Sequence, residues 1–305
     1  MINSLKNKNI LFRADSSSKI GIGHIMRDLV LANRYIKMGG NIIFASQDLN
    51  GNINKQIIDT GFKVKILKSN SKKELVRLIK KLMIDLLVID HYKINYKKEK
   101  YIKKKTKVKI LSLDDTYKKH YCDILINHNI NAKKKKYKFL TPKFCKIRCG
   151  GKYTLLRDEF YKEKNKVYKK NKKIKKVFIA MGGADTGELN IKILNILKEF
   201  KNIQANIVTT TTNKHLHKLK KISTNDKTIK LHINSTKIAK LMRKSHFAII
   251  TPSVTLNEVY FMKLKFIAIK TADNQKNIYK FLKKKNYIAL NKFNKHKLYK
   301  CIKKF

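Results

Sequence analysis

Short apolar runs rich in Ile, Val, Leu and Phe alternate with longer helical stretches along almost the whole chain. In the first half this pattern predicts strands at 10–13, 41–45, 63–67, 86–90, 108–113 and 124–127, and helices near 24–38, 52–60, 71–83 and 95–105. Such alternation is typical of a parallel sheet covered by helices.

The same alternation restarts after an almost wholly polar segment at 162–175, which we expect to be a solvated linker. The second half predicts strands at 176–181, 203–209, 228–232, 247–251 and 266–269, and helices near 187–199, 213–222, 236–243, 255–263, 274–285 and 294–303. We therefore expect an α/β protein with two Rossmann-like domains, residues 1–165 and 166–305, facing a central cleft.

The net charge of +53 raises the alternative of a basic nucleic-acid-binding protein. Only seven of the 73 basic residues are Arg, however, and the 66 Lys are scattered over nearly every predicted surface. Arg is the residue that reads bases with two hydrogen bonds, and no basic face or aromatic platform stands out. Compositional bias of an A+T-rich genome explains the lysines better, so we expect no specific nucleic-acid partner.

Four cysteines occur without a C-x-x-C pair, and Cys145 and Cys149 are expected on one strand, too far apart to ligate a single zinc ion. Reduced, partly buried thiols are therefore favoured. The adjacent Asp114 and Asp115 resemble half of a metal site, but no third ligand is evident, so loop hydrogen bonding is favoured.

The N-terminal residues lack the apolar core of a signal peptide, and no apolar run approaches the length of a membrane span. We expect a cytoplasmic monomer with no cofactor, no metal and no membrane contact.

The segment 11–28 runs from an apolar strand into a Ser/Gly loop, with His24 where a helix should begin. Small residues allow a ligand close to the backbone, and an imidazole can accept a proton near neutral pH. A dinucleotide fingerprint is excluded, because Met26 occupies the slot of the third glycine after Gly21 and Gly23. The glycines could also be simple turn residues, with His24 a first-turn helix residue.

Polar residues also follow a second predicted strand, at Asp90, His91 and Tyr92. Ligands of parallel sheets collect at the carboxyl ends of the strands, so Tyr92 is a candidate for the floor of the cleft. For His91, a core histidine with a satisfied ring is the favoured interpretation.

Two strand-to-helix junctions in the second half could receive a diphosphate. Gly182 and Gly183 offer flexible backbone and free N–H groups, and Ser253 and Thr255 add hydroxyls at a helix start. Glu258, about one turn further on, could accept hydrogen bonds from both ribose hydroxyls. A capped helix with an acid that stabilises its dipole explains the same residues equally well.

A third junction carries Asn274 and Gln275, whose amides could hydrogen-bond a sugar or simply cap a helix.

Taken together, these motifs resemble the PseG family of UDP-2,4-diacetamido-2,4,6-trideoxy-β-L-altropyranose hydrolases, which act in pseudaminic acid biosynthesis. The resemblance extends over about residues 9–290 and rests on the motifs at 12–18, 21–24, 89–92, 148–150, 181–185, 257–258 and 274–275. Departures are Ala184 and Thr186 in the glycine loop, the basic linker and the Lys-rich extension after about residue 290.

The resemblance implies a glycosyltransferase-B-like fold related to MurG, with UDP held mainly by the C-terminal half. It also implies metal-independent, inverting attack of water at the anomeric carbon. His24 matches the general base, Tyr92 a tyrosine on the sugar side, Asn274 an asparagine of the active cleft and Glu258 the ribose-binding glutamate. The full set of candidate substrate-binding residues is Asp15, Ser18, Gly23, Tyr92, Gly182, Gly183, Ser253, Thr255, Asn257, Glu258, Asn274 and Gln275.

This mechanism is chemically consistent, because UDP leaves as a stabilised anion and needs no carboxylic acid to protonate it. The helix dipole would disfavour an imidazolium in the first turn and keep His24 able to accept a proton from water. Backbone amides near Gly182 and Ser253 would stabilise the departing diphosphate. A UDP-sugar-dependent glycosyltransferase of the same fold is the alternative that sequence pattern alone barely separates.

Overall fold

The central strands carry buried side chains on both faces, so each sheet requires helices above and below it. Every residue of Leu86–Asp90 and of Phe247–Ile250 is buried. The structure, a computed structural model, describes residues 5–185 and 187–305. The chain forms two compact units, the first ending at Leu155 and the second running from Leu156 to Phe305. Thr186, noted in the sequence as a departure in the glycine loop, lies outside the described residues.

The described part of the first unit contains one parallel sheet in the order β3-β2-β1-β4-β5-β6-β7. Its strands are β1 Asn9–Ala14, β2 Asn41–Gln47, β3 Lys63–Leu67, β4 Leu86–Asp90, β5 Lys109–Leu113, β6 Ile124–Asn127 and β7 Lys146–Cys149. Its α-helices are α1 Gly23–Ile36, α2 Asn54–Asp59, α3 Lys72–Lys81 and α4 Tyr96–Thr106, and single 3₁₀ turns lie at Lys134–Tyr137 and Gly151–Tyr153.

The second unit repeats the design with a parallel sheet in the order β10-β9-β8-β11-β12-β13. Its strands are β8 Lys175–Ala180, β9 Ile203–Thr209, β10 Ile229–Ile233, β11 Phe247–Ile250, β12 Lys265–Ile269 and β13 Ile288–Leu290. Its helices are α5 Asp158–Glu163, α6 Leu189–Leu197, α7 Leu216–Asn225, α8 Ile238–Lys244, α9 Val254–Phe261, α10 Lys276–Lys284 and α11 Lys295–Ile302, with a 3₁₀ turn at Asp273–Gln275.

Each sheet reverses its strand order once, and this reversal places the candidate residues. In the first unit β1 lies between β2 and β4, and in the second β8 lies between β9 and β11. The loops after β1 and β4 therefore diverge, as do those after β8 and β11. The crevice outside the carboxyl ends of such strands is where open α/β sheets bind ligands.

The alternation predicted from sequence is confirmed in both units, with helix ends shifted by one to three residues. Of the strands and α-helices, β13, which is only three residues long, and α5, at the edge of the polar segment, were not predicted, and β7 was expected only through the strand placed around Cys145 and Cys149. Residues 164–174 form a largely exposed loop. The predicted domain boundary between residues 165 and 166 stays a prediction; α5, before it, packs against α8 of the second unit. None of the described helices is long and apolar enough to cross a membrane.

The loop between β1 and α1 is braced by the loop after β2. The Ser18 N–H and hydroxyl both donate to the carbonyl oxygen of Asn50, at 3.0 and 3.3 Å. The next residue, Gly51, has φ +74°, and a Cβ there would lie 2.9 Å from the Ser18 nitrogen. Glycine is therefore needed at Gly51 both for its backbone conformation and for the close approach of the two loops.

We expect Gly51→Ala to lower the free energy of unfolding by about 2–4 kcal/mol, since left-handed backbone strain adds to a steric clash. Gly61→Ala is the matched control, because Gly61 has φ +91° in the same unit but no atom within 4 Å of the position that an added Cβ would take. It should lose only the strain, about 1–2 kcal/mol. Urea unfolding of both variants measures the difference, and equal losses would contradict the proposed contact.

Candidate active site

The ring of His24 lies against a buried carboxylate. His24 is the second residue of α1, and its Nδ1 is 2.5 Å from Oδ1 of Asp90, the last residue of β4. Both side chains are buried. Because an ionised carboxylate can only accept hydrogen bonds, Nδ1 carries the shared proton, and Nε2 is the nitrogen that has the lone pair in the neutral ring. The pair has the geometry of a general base oriented by an acid.

Arg27 holds Asp90 in its ionised form. Its Nε donates to Oδ2 and its Nη2 to Oδ1 of Asp90, each at 2.5 Å. Burial alone would raise the pKa of Asp90, but the charge of Arg27 and the contact with His24 hold that pKa well below its usual range. Sequence analysis noted Asp90 only as a polar residue at a strand end and gave Arg27 no role, although the (i, i+3) spacing of His24 and Arg27 on one helix face is a usable signal.

Tyr92, a candidate residue of the sugar side, lies beside the imidazole. The rings of His24 and Tyr92 are 4.9 Å apart between centroids and nearly perpendicular. The Tyr92 hydroxyl donates to the carboxylate of Asp115 at 2.9 Å, and Nη1 of Arg27 approaches the same carboxylate at 3.3 Å. The structure thus brings together His24 and Tyr92 and adds Asp115, for which the sequence favoured loop hydrogen bonding over a metal site.

Asp15, a predicted substrate ligand, is buried among protein donors. Its carboxylate accepts from Arg13 at 2.5 and 2.9 Å and from Nε2 of His91 at 2.8 Å. Burial would raise the pKa of Asp15, but the hydrogen bonds from His91 and Arg13 hold it well below its usual range. Nδ1 of His91 accepts from the Lys93 N–H, so both ring nitrogens are satisfied, as expected for a core histidine.

The backbone at the start of α1 offers donors without a side-chain cap. Ile22 occupies the N-cap position, and no side chain accepts from the first turn that Gly23 opens. The N–H groups of such a turn have no partner inside the helix and can bind a polar ligand. Ser18, by contrast, is committed to its hydrogen bonds with Asn50.

Asp114 serves its own loop. Its carboxylate accepts from the Thr116 and Tyr117 N–H groups at 3.0 and 2.8 Å and from the Tyr137 hydroxyl. Burial would raise the pKa of Asp114, but His120, whose Nε2 lies 3.8 Å from Oδ1, and the hydrogen bond from Tyr137 lower that pKa to about 2. In the described ranges no group of three or more His, Cys, Asp or Glu side chains is arranged to hold a metal ion.

In the second unit, the loop after β8 is held close to the loop after β9. Gly182 has φ +88°, and a Cβ on Gly183 would lie 2.9 Å from the side chain of Thr210. The hydroxyls of Thr209 and Thr210 both donate to the carbonyl oxygen of Gly183 at 3.1 Å. The Asp185 carboxylate accepts from the first two N–H groups of α6 and so closes the loop. The predicted glycine turn is therefore a fixed backbone feature.

The helix that follows β11 also begins without a side-chain cap. Ser253 is the N-cap residue of α9, and its side chain accepts no hydrogen bond from the helix. Thr255 is the second helical residue, and Asn257 is buried one turn in. The capping alternative for Ser253 is thus not what the structure shows, and the first N–H groups of α9 are available to an anion.

Glu258 is largely buried, with 12% of its side chain exposed, and contacts Arg157. Nη2 of Arg157 is 3.4 Å from Oε1 of Glu258, while Nη1 is 2.9 Å from Glu159. Burial raises the pKa of Glu258 to about 7, against the lowering effect of Arg157 and with a further increase from Glu159. Arg157 is the second residue of the second unit. No motif in the sequence marked it as a partner of Glu258.

Gln275 caps the 3₁₀ turn in which it lies. Its Oε1 accepts from the Thr271 N–H at 2.8 Å and from the Thr251 hydroxyl at 3.2 Å, which ties β11 to the loop after β12. This is the helix-capping alternative for Gln275. Asn274 is exposed in the same turn.

Comparisons with known proteins agree with this architecture. Over 279 residues the chain is 43% identical to the UDP-2,4-diacetamido-2,4,6-trideoxy-β-L-altropyranose hydrolase of Campylobacter jejuni subsp. jejuni serotype O:2, covering 91% of this chain and 97% of that protein. Acinetobacter baumannii MurG matches with a TM-score of 0.63 at 13% identity, over 97% of this chain and 90% of MurG. The Methanocaldococcus jannaschii UDP-GlcNAc 2-epimerase, solved with UDP-GlcNAc and UDP, matches with a TM-score of 0.61 at 12% identity, over 97% and 92%. No family model matches.

The structural neighbours, at these identities, show the fold: two parallel sheets covered by helices, as in the glycosyltransferase-B enzymes such as MurG. The sequence relative is more specific, because it is aligned over almost its entire length. The chain belongs to the family of UDP-2,4-diacetamido-2,4,6-trideoxy-β-L-altropyranose hydrolases.

Proposed function

We propose that this chain hydrolyses UDP-2,4-diacetamido-2,4,6-trideoxy-β-L-altropyranose to UDP and the free diacetamido sugar, a step of pseudaminic acid biosynthesis. The substrate in this proposal is the one that the name of the Campylobacter jejuni relative gives. The observation that carries the reaction is the contact of 2.5 Å between Nδ1 of His24 and Asp90, because it leaves Nε2 as a proton acceptor. His24 is the catalytic residue of this proposal, and Asp90 positions it.

In the proposed reaction, Nε2 of His24 takes a proton from a water molecule as the water oxygen attacks the anomeric carbon. The bond between that carbon and the diphosphate oxygen breaks, and the bonding pair leaves with UDP. Attack on the face opposite the leaving group inverts the configuration. UDP is a stable anion, so one base is enough and no paired carboxylic acid is needed.

We assign the nucleotide half of the substrate to the second unit. The backbone at Gly182 and Gly183 and the first turn of α9, which follows Ser253 and includes Thr255, would present N–H groups suited to a diphosphate. Glu258 is placed one turn later, where its carboxylate would accept from the ribose hydroxyls. The M. jannaschii epimerase of the same fold was solved with UDP-GlcNAc and UDP, which supports a UDP-containing substrate for this chain.

The remaining candidates are assigned to the sugar or to support of the site. Tyr92, whose ring meets that of His24, and the first-turn N–H of Gly23 are proposed to face the sugar. The amide of Asn274 is proposed as a further sugar contact. Asp15 and Ser18 would support the loop between β1 and α1, since their side chains already have protein partners. Asn257 and Gln275 would similarly support the loops of the second unit.

The compartment we propose is the cytoplasm, consistent with four free thiols in the described chain. The sulfur atoms of Cys122 and Cys145 are 3.7 Å apart and are not joined by a disulfide bond. Neither cysteine is among the residues assigned to the substrate. We propose a monomer that needs neither cofactor nor metal, with no specific nucleic-acid partner.

Hydrolysis in H₂¹⁸O tests the function directly. The protein is incubated with a small panel of UDP-diacetamido-trideoxyhexoses, excess EDTA and no acceptor. We expect UDP release with heavy oxygen in the free sugar, because water attacks carbon. Heavy oxygen in UDP would mean attack at phosphorus, and release that depends wholly on an added acceptor would establish a transferase instead.

Substitutions of the histidine and its carboxylate should reduce turnover while leaving UDP binding intact. We expect His24→Asn to lower kcat on the order of 10²–10⁴-fold, through loss of the base. Asp90→Asn should lower kcat on the order of 10²–10³-fold, through loss of the tautomer that frees Nε2. Steady-state kinetics and calorimetric UDP titration give both values, with His296→Asn on the exposed face of α11 as control. Unchanged kcat in His24→Asn would contradict its role.

UDP affinity should increase with pH through the titration of Glu258. With a pKa of about 7 in the free protein, Glu258 is mostly protonated at pH 6 and mostly ionised at pH 8. Ribose hydroxyls donate best to the ionised form, so UDP should bind about ten-fold tighter at pH 8 than at pH 6. In Glu258→Gln only UDP itself still titrates, so the affinity of this variant for UDP should change less between pH 6 and pH 8 than that of wild type.

The nucleotide 2′-deoxy-UDP controls for the contact itself in the same calorimetric titrations. Wild type should bind it more weakly than UDP, and Glu258→Gln should discriminate less between the two. Equal discrimination by both proteins would reject the ribose assignment.

A further inference from the structure

Every nitrogen of the Arg27 guanidinium faces a group of the candidate site. Nε and Nη2 bind the two oxygens of Asp90, and Nη1 is 3.3 Å from Asp115. Nη2 also lies 3.2 Å from Nδ1 of His24, a proximity without a hydrogen bond, since both atoms are donors. Nη1 is also 3.4 Å from Nε2 of His128. We propose that Arg27 is a positioning residue of the hydrolysis, which acts through Asp90 by fixing that carboxylate against His24 and balancing its charge. This inference rests on the proposed function.

The charge balance around the imidazole depends on this one guanidinium. The ionisable groups that face His24 or its carboxylate are Asp28, Asp90, His91, Tyr92, Asp115 and His128. Of these, Asp90 is a fully buried anion in contact with the ring. Without Arg27 that anion would be unpaired, and it would favour a second proton on His24, which removes the lone pair that the reaction needs.

The neighbouring Asp28 does not disturb this balance. It lies one turn beyond His24 on α1 and is fully buried, and neither of its oxygens has a hydrogen-bond partner. Burial and the charge of Asp90 raise its pKa well above the usual range, which favours the neutral acid. Burial, with the charge of Arg27, likewise lowers the pKa of His128 to about 3, so this ring stays neutral. Asp90 and Arg27 therefore form the charged pair next to the imidazole.

Lysine cannot replace Arg27 in this arrangement. A planar guanidinium binds both carboxylate oxygens at once and still presents a second edge to Asp115 and His128, whereas an ammonium is a point charge. A Lys at this position would balance part of the charge but would not set the direction of the carboxylate. The charge of Arg27 and its geometry can therefore be tested separately.

The experiment compares Arg27→Met, Arg27→Lys, Asp90→Asn and the double variant Arg27→Met/Asp90→Asn in the UDP-release assay. Arg34→Met, on the same helix about 10 Å further along, is the matched control. We expect Arg27→Met to lower kcat on the order of 10²-fold with KM and UDP affinity within about two-fold of wild type. The acid limb of its pH profile should move to higher pH. Arg27→Lys should restore the pH profile more than it restores kcat.

The double variant decides whether Arg27 acts through Asp90. If it does, kcat of the double variant is no lower than that of Asp90→Asn. A further multiplicative loss would overturn the proposal, as would a kcat of Arg27→Met within about three-fold of wild type. Because the double variant leaves no unpaired charge in this pair, its comparison with Asp90→Asn stands even if Arg27→Met does not fold.

Ring ¹⁵N chemical shifts of His24 in the protein without substrate keep this inference separate from the proposed function. Wild type should show the tautomer protonated at Nδ1, and Arg27→Met should show a mixture or the doubly protonated ring. An unchanged ring in Arg27→Met would overturn the positioning role even in an active enzyme. Absence of UDP release by wild type, with the ring shifts as expected, would instead overturn only the proposed function.

Discussion

The buried carboxylate of Asp90 is the interaction on which the candidate site depends. An ion inside a parallel sheet carries a large desolvation penalty, and here the penalty is offset by two hydrogen bonds from Arg27 and one from His24. These contacts determine where the imidazole lies and which of its nitrogens is free. The order of the strands explains why they meet, since β4 ends beside β1 and α1 begins one loop after β1.

The second unit contributes a different chemistry, based on backbone rather than on ionised side chains. Its glycine loop is fixed by the hydroxyls of Thr209 and Thr210, and the N-cap residue of α9, Ser253, makes no side-chain cap hydrogen bond. Preorganised N–H groups suit a leaving diphosphate, because they stabilise its growing charge without rearrangement. Glu258 is the exception: it is a buried acid with a pKa of about 7, and its carboxylate contacts Arg157.

The sequence predicted the strands from their apolar runs, and the rule that strand ends gather polar residues made His24 and Tyr92 candidates, but their ring contact is a finding of the structure. It did not predict the Asp90 partnership. Residues 63 positions apart, such as Arg27 and Asp90, meet only through the order of the sheet, which local pattern does not encode. For Asp15 the sequence predicted a substrate ligand, because the residue is polar and follows a strand. The structure shows that its carboxylate instead binds Arg13 and His91. The three residues of β13 are too few to give a periodic signal.

Arginine is scarce in this chain, and its positions are informative. Of the seven, Arg13, Arg27 and Arg157 contact the carboxylates of Asp15, Asp90 and Glu258. The 66 lysines supply nearly all the remaining positive charge, mostly at exposed positions. The planar guanidinium groups of arginine thus lie where the direction of a hydrogen bond matters, while lysines occupy the exposed surface, where only charge is needed. Genome composition can consequently change the surface residues of such a protein, and with them its colloidal behaviour and its binding to polyanions, without altering the interior ion pairs.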